Sequence, residues 1–151
     1  MFLDIPQPLK QHLVNEQARI TSGGVLPPLP AQPCVHDILA DYRATLSKPT
    51  DALTPEEEAA LALGAYFDKA LPKCLLYPQE QAPAAEVLQQ GVLLPGRVFG
   101  ASHLLRLLHK LPELLSVAHM TTEALENTER RINAVIAFIN EHRGVYLDAG
   151  R

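Results

Sequence analysis

Apolar residues recur along this chain at helical spacing, and no run alternates as a half-buried strand would. The clearest stripe is Leu104, Leu107, Leu108, Leu111 and Leu115, at i, i+3, i+4, i+7 and i+11. That spacing puts five leucines on one face of an amphipathic helix. The helix is predicted to open at about Gly100, and Pro112 inside its pattern to kink or split it. A first helix is predicted from Pro6 or Pro8, since proline is tolerated in a first turn. Leu9, Leu13, Val14 and Ile20 form its apolar stripe, and Gln17 falls on that stripe one turn below Leu13. Pro27, Pro28, Pro30 and Pro33 bar a regular helix between Gly23 and Pro33. A second helix carries Val35, Ile38, Leu39, Tyr42 and Leu46 on one face. Thr54-Pro55-Glu56-Glu57 reads as a third helix start, with Thr54 as N-cap, Pro55 in the first position and Glu57 three residues after the cap. This helix is expected to run to about Ala70, where Leu71-Pro72 interrupts or ends it. A brief helix at Ala84–Gln89 and a loop at Val92–Gly96 follow. The last helix begins after Thr121 or Thr122, carries Leu125, Ile132, Val135, Ile136 and Ile139 on its apolar face, and stops near Gly144. The fold class that follows is all-α or mainly α, in one domain spanning residues 1–151.

Composition narrows the function classes. Hydrophobic residues make up 47% of the 151, too many for a disordered chain, and no apolar run approaches the roughly 18 residues of a membrane span. The start, Met1-Phe2-Leu3-Asp4, lacks the basic and apolar runs of a secretory signal. Two cysteines, Cys34 and Cys74, make no disulfide framework and suit a reducing, intracellular setting. Net charge is −4 and Arg130-Arg131 is the only adjacent basic pair. That pattern argues against direct nucleic-acid binding, which needs a basic stripe.

Candidate chemistry is thin. The histidines are His12, His36, His103, His109, His119 and His142. Cys34-Val35-His36 brings two soft ligands close, but no Cys-x-x-Cys, His-x-x-x-His or carboxylate cluster completes a zinc set. No Gly-x-Ser-x-Gly elbow or phosphate-binding loop is present, and Glu56–Glu58 are explained by a helix N-terminus. No catalytic residue, metal or cofactor is therefore expected. His103 and Arg106, three apart among leucines, are read as partly buried groups satisfying carbonyls or a carboxylate from a neighbouring helix. Gly100 is read as permitting either a close backbone approach or a positive φ.

The order Phe99-Gly100-Ala101-Ser102-His103-Leu104-Leu105-Arg106-Leu107 resembles the signature of the MRG (MORF-related gene) domain of chromatin adaptor proteins. Weaker blocks run in the family's order: Ile5-Pro6-x-x-Leu9-Lys10-x-x-Leu13-Val14, Leu29-Pro30-Ala31 before Val35-x-x-Ile38-Leu39-x-x-Tyr42, Tyr66-Phe67, and Leu75-Leu76-Tyr77. The resemblance implies a mainly helical domain with a small β-hairpin, any strand being expected near Leu75–Tyr77. It also implies a nuclear, non-enzymatic adaptor in histone acetyltransferase and histone deacetylase complexes, binding Phe-x-Leu-Pro-type segments of partner subunits. By resemblance the groove maps onto Ile5, Leu13, Val14, Gln17, Tyr77, His109 and Lys110, with Gly100, His103 and Arg106 as the structural signature. Three departures lie in or near that surface. Gln17 stands where the family usually has Trp, Lys110 where it often has Arg, and Glu80-Gln81-Ala82-Pro83-Ala84 lacks the Arg and Tyr of the family's segment. The implied peptide site is thus weakened, retuned or lost. Nothing in the chain resembles a chromodomain. The residue pattern without the resemblance leaves open an unrelated helical domain, a small enzyme or a structural oligomer.

Overall fold

Helix α1 (Gln7–Gly23) has Pro8 in its first turn and ends at Gly24, whose φ of 64° lies in the left-handed region glycine tolerates. The Gly24 N–H donates to the Arg19 carbonyl, closing the last turn. The computed structural model describes residues 3–24, 31, 33–46, 52–89, 94–116 and 120–147. Most of the proline-rich connection after Gly24, the Val92-Leu93 part of the expected loop and His119 lie outside the described residues. Helices α2 (Val35–Ala44) and α3 (Pro55–Ala70) follow. At Thr54 the capping box is complete: Thr54 Oγ1 accepts from the Glu57 N–H at 3.2 Å, and Glu57 Oε1 accepts from the Thr54 N–H at 3.5 Å.

Beyond Ala70 the chain does not turn into a strand. Leu71–Leu75 wind on as one π-helical turn. Pro72 has no N–H to offer the Asp68 carbonyl, and the ladder widens there. Among the described residues there is no hairpin; the β-type pairing is one isolated antiparallel bridge between Cys34 and Gly100. Helix α4 (Pro78–Gln89) starts six residues earlier than expected for the brief helix at Ala84, and α5 (Pro95–Val98) occupies part of the expected loop. Helix α6 (Ala101–Leu115) passes through Pro112 without breaking. Only three residues of the helix remain beyond that proline, so little is lost with its missing hydrogen bond. Helix α7 (Thr122–Glu141) is capped by Thr121, whose hydroxyl accepts from the Ala124 N–H at 3.1 Å. Gly144 does not stop the chain but sits within a further turn, α8 (Arg143–Tyr146).

Helix α6 is the central element. Ala101, His103, Leu104, Leu105, Arg106, Leu107, Leu108 and Leu111 are all buried, more than one face of a helix can supply. It packs against α1, α2, α3 and the π turn. Its entrance explains Gly100. The φ there is −117°, ordinary extended backbone, so the reason for glycine is space and not a positive φ. A Cβ would lie 2.9 Å from Ala31 Cβ and 3.0 Å from the Pro33 carbonyl oxygen. This close approach lets the Phe99 carbonyl accept from the Val35 N–H at 2.8 Å and the Val98 carbonyl from the Ala31 N–H at 2.7 Å. Gly96 is held as tightly, with Asp68 Oδ1 accepting its N–H at 2.7 Å and His36 against its Cα.

Leu107 is fully buried. Leu107→Ala should lower the unfolding free energy by about 2–5 kcal/mol, through lost transfer energy and the cavity left behind. Urea denaturation checks this, and an unchanged midpoint would place the leucine face outside the core.

Candidate functional site

The buried face of α1 keeps Leu9 and Ile20 of the apolar stripe read from its sequence but not Leu13 and Val14. Leu9, His12, Glu16 and Ile20 point inward, whereas Leu13 is half-buried and Val14 is 60% exposed. The reason lies across the interface, on α6. Arg106 is 5% exposed, and a buried guanidinium has to be neutralised and hydrogen-bonded. Its Nη2 donates to Glu16 Oε1 and, at 3.2 Å, to Glu80 Oε2; its Nη1 donates to Glu80 Oε1 and, at 3.0 Å, to the Leu75 carbonyl. The Tyr77 ring lies 4.2 Å from the guanidinium carbon, a cation–π contact. One side chain of α6 thus ties together α1, the end of the π turn and α4.

Two histidines complete the cluster. His103 Nε2 lies 3.0 Å from Glu80 Oε2; the carboxylate can only accept, so that nitrogen carries the proton. His12 Nε2 hydrogen-bonds Ser102 Oγ at 2.7 Å and stands 3.6 Å from Glu16 Oε2. Glu80 Oε1 also accepts from the Tyr77 N–H at 3.0 Å, capping α4.

The electrostatics follow from this pairing. Burial alone would raise the Glu16 carboxyl, but the neighbouring His12 side chain and the Arg106 charge outweigh it and bring it down to about 2. Burial likewise opposes, and the hydrogen bonds from His103 and Arg106 reverse, the shift of Glu80, which also falls to about 2. His103 moves below its ordinary value because burial disfavours the imidazolium more than Glu80 favours it. The resting state is one guanidinium, two carboxylates and a neutral His103.

Beside this cluster a cavity of about 360 Å³ opens to the surface. One wall is the face of α1 bearing Lys10, Leu13, Val14 and Gln17, at i, i+3, i+4 and i+7. The floor is the chain from Cys74 to Tyr77, and the far wall is Arg106, His109 and Lys110 of α6. Arg106 and Lys110 both shape the floor, because Lys110 Nζ donates to the Cys74 carbonyl at 2.8 Å next to the Leu75 carbonyl held by Arg106. These are carbonyls that the end of a helix leaves without partners.

Of the residues expected in a groove, Leu13, Val14, Gln17, Tyr77, His109 and Lys110 line this one cavity. Ile5 does not. It precedes α1, is 6% exposed and belongs to the apolar core. The segment Gln81–Ala84 is not in the lining either; within α4 Gln81 is exposed and Ala84 is buried, so that departure from the family pattern falls off the groove. Gly100, His103 and Arg106 lie along α6, with His103 and Arg106 in the buried cluster and Gly100 at the bridge to Cys34.

Glu16 and Glu80 were not legible as site residues. The signal for Glu16 is its spacing: it lies four residues from His12 and from Ile20, on the inward face. Among the described residues no group of three His, Cys, Asp or Glu side chains is placed to hold a metal ion. His36 pairs with Asp68 at 3.1 Å, and the Cys34 thiol is buried, which pushes its pKa up.

Comparison with known proteins locates this architecture. The family model described as MRG matches residues 1–150. The chain is 33% identical over 149 residues to Protein MRG1 of Arabidopsis thaliana, covering 97% of this chain and 46% of that protein. It is 30% identical over 171 residues to the chromatin modification-related protein EAF3 of Mycosarcoma maydis, 93% and 52% of the two chains. To the EAF3 protein of Eremothecium gossypii it is 35% identical over 153 residues, 91% and 49%. The chain spans about half the length of these relatives.

Both carboxylates titrate lower in the folded chain than the ordinary 4.5. They therefore contribute stability above that value, lost as pH falls from about 4.5 towards 2. His103, also depressed, adds a loss that begins as pH falls below about 6.5. Unfolding free energy measured by urea titration should decline from pH 7 and steeply between pH 5 and 2, and the acid limb should flatten in Glu16→Gln/Glu80→Gln. An acid limb of unchanged slope would show that these carboxylates are not the groups responsible.

Proposed function

The chain belongs to the MRG family, and from that premise we propose that it is a nuclear, non-enzymatic interaction module of chromatin-modifying assemblies. Its groove takes apolar peptide segments, of the Phe-x-Leu-Pro type, from subunits of histone acetyltransferase and histone deacetylase complexes. The observation that carries this reading is the cavity between α1, the Cys74–Tyr77 segment and α6. Apolar side chains stand exposed or half-exposed around a concavity, where a few partner anchors can be desolvated together. Val14, 60% exposed on its rim, contributes little to the core and has apolar area to offer a partner. The names of the relatives, which describe the EAF3 proteins as chromatin modification-related, support the cellular setting. Glu16, Glu80, His103 and Arg106 of the interior are engaged with one another, which supports a structural role for them over a catalytic one. Scattered positive charge favours protein over nucleic acid as the partner.

Gln17 sets the strength of this site. It is exposed on the α1 wall, where it supplies little apolar area and an amide that has to stay hydrogen-bonded. A Phe-x-Leu-Pro peptide should bind the wild-type chain weakly. Gln17→Trp should tighten binding by roughly tenfold, about 1.4 kcal/mol, since a large aromatic wall is worth that much at an interface. Val14→Asp should abolish binding and leave the melting temperature unchanged. Isothermal titration calorimetry on the three chains checks both, and unchanged affinities in the two variants would move the peptide site elsewhere.

A further inference from the structure

We propose that the groove selects apolar segments flanked by acidic residues, a preference set by the charges on its two walls. The inference rests on the reading of the groove as a peptide site and adds the chemistry of what it takes. Four cavity-lining residues, Lys10, Arg106, His109 and Lys110, are of the basic type, and none of the lining residues is acidic. The chain as a whole carries a net charge of −4, so the groove inverts the sign of the molecule around it.

Where each charge goes decides the matter. The Arg106 guanidinium is spent on Glu16 and Glu80, and those carboxylates belong to the buried cluster rather than to the cavity lining. Lys10, on one wall, and His109 and Lys110, on the other, are exposed. Lys110 spends one of its three donors on the Cys74 carbonyl, which holds the ammonium at the rim with two donors still to offer. An ammonium held in place loses less side-chain freedom when it meets a carboxylate, the entropy that ordinarily cancels an exposed ion pair. Glu113, three residues beyond Lys110 on α6, is not in the lining.

A segment whose apolar anchors fill the space between Leu13 and Tyr77 has to leave the cavity past these walls, so its flanking residues meet Lys10 or Lys110. Aspartate or glutamate there gains two favourable exposed pairs. Lysine or arginine in the same places brings like charges together. Exposed pairs are individually weak, so the effect is one of selection among similar apolar cores, and salt should screen it.

The test uses three fluorescein-labelled peptides with a shared Phe-Ala-Leu-Pro core, flanked on both sides by Asp-Asp, Asn-Asn or Lys-Lys, in fluorescence anisotropy titrations. The wild-type chain and Gln17→Trp are both titrated. The Asp-flanked peptide should bind roughly tenfold tighter than the Lys-flanked one in dilute salt, with the Asn-flanked peptide between them, for two exposed pairs. The gap should shrink to about twofold or less near 0.5 M salt. Lys10→Glu/Lys110→Glu should reverse the order. If that double variant does not fold, Lys10→Glu alone, on the exposed face of α1, should bring the Asp-flanked and Asn-flanked affinities together. Equal binding of all three peptides overturns the charge preference and leaves the groove reading standing. Failure of every peptide to bind overturns both.

Discussion

One guanidinium holds α1, the π turn and α4 against α6. Arg106 projects from the most buried helix and is shared by Glu16 on α1 and Glu80 on α4, with the Leu75 carbonyl accepting from Nη1 and the Tyr77 ring against the guanidinium. A buried charge of this kind stabilises little on its own account, because desolvation consumes most of the Coulombic gain. What it imposes is geometry. Leaving any member without its partner is far more costly than the intact cluster is favourable, so α1, the π turn and α4 are confined to the positions that bring their polar groups to α6.

The groove is a consequence of that confinement. Because α1 must turn Glu16 and His12 inward, Leu13, Val14 and Gln17 rotate to its outer flank and become a wall. Because Arg106 and Lys110 hold the Leu75 and Cys74 carbonyls, the chain leaves the π turn at a fixed place, and Tyr77 covers the guanidinium at the edge of the floor. The apolar surface that a partner would use is therefore generated by a polar requirement underneath it. The same cluster keeps Glu16 and Glu80 out of the lining, so Lys10 and Lys110 are the exposed charged groups at the rim. An apolar floor and basic rims are then two results of a single arrangement.

The parts of this picture that local physics controls were legible in the sequence. The leucine face of α6 and the Thr54–Glu57 capping box are written within one or two helical turns, and both are where the residues place them. The α1 face is only half legible: counting apolar residues favours Leu13 and Val14 along with the buried Leu9 and Ile20, whereas Arg106, 90 residues away in sequence from Glu16, turns Glu16 inward. For Glu80 the local pattern points at most to the start of α4, where it accepts from the Tyr77 N–H; its partners His103 and Arg106 lie 23 and 26 residues further on. Pro72 and Pro112 show the two ways a helix absorbs proline: one widens into a π turn, while the other falls so near the end that the helix carries on through it. Leu13, Val14, Gln17, Tyr77, His109 and Lys110, which the resemblance groups, line one cavity, a proximity that periodicity alone does not give. Ile5, just before α1, belongs to the core instead.

The central claim is that Arg106 positions α1 and α4 and does more than fill space in α6. Hydrogen–deuterium exchange of Arg106→Met at neutral pH tests it most directly. Methionine keeps the apolar length of the side chain and removes the charge, so the two carboxylates lose their shared partner. The account predicts that amide protection falls first in Gln7–Gly23 and Pro78–Gln89, while Val35–Ala44, Pro55–Ala70 and Thr122–Glu141 keep theirs. Protection retained in α1 and α4, or lost to the same degree in every helix, would contradict it.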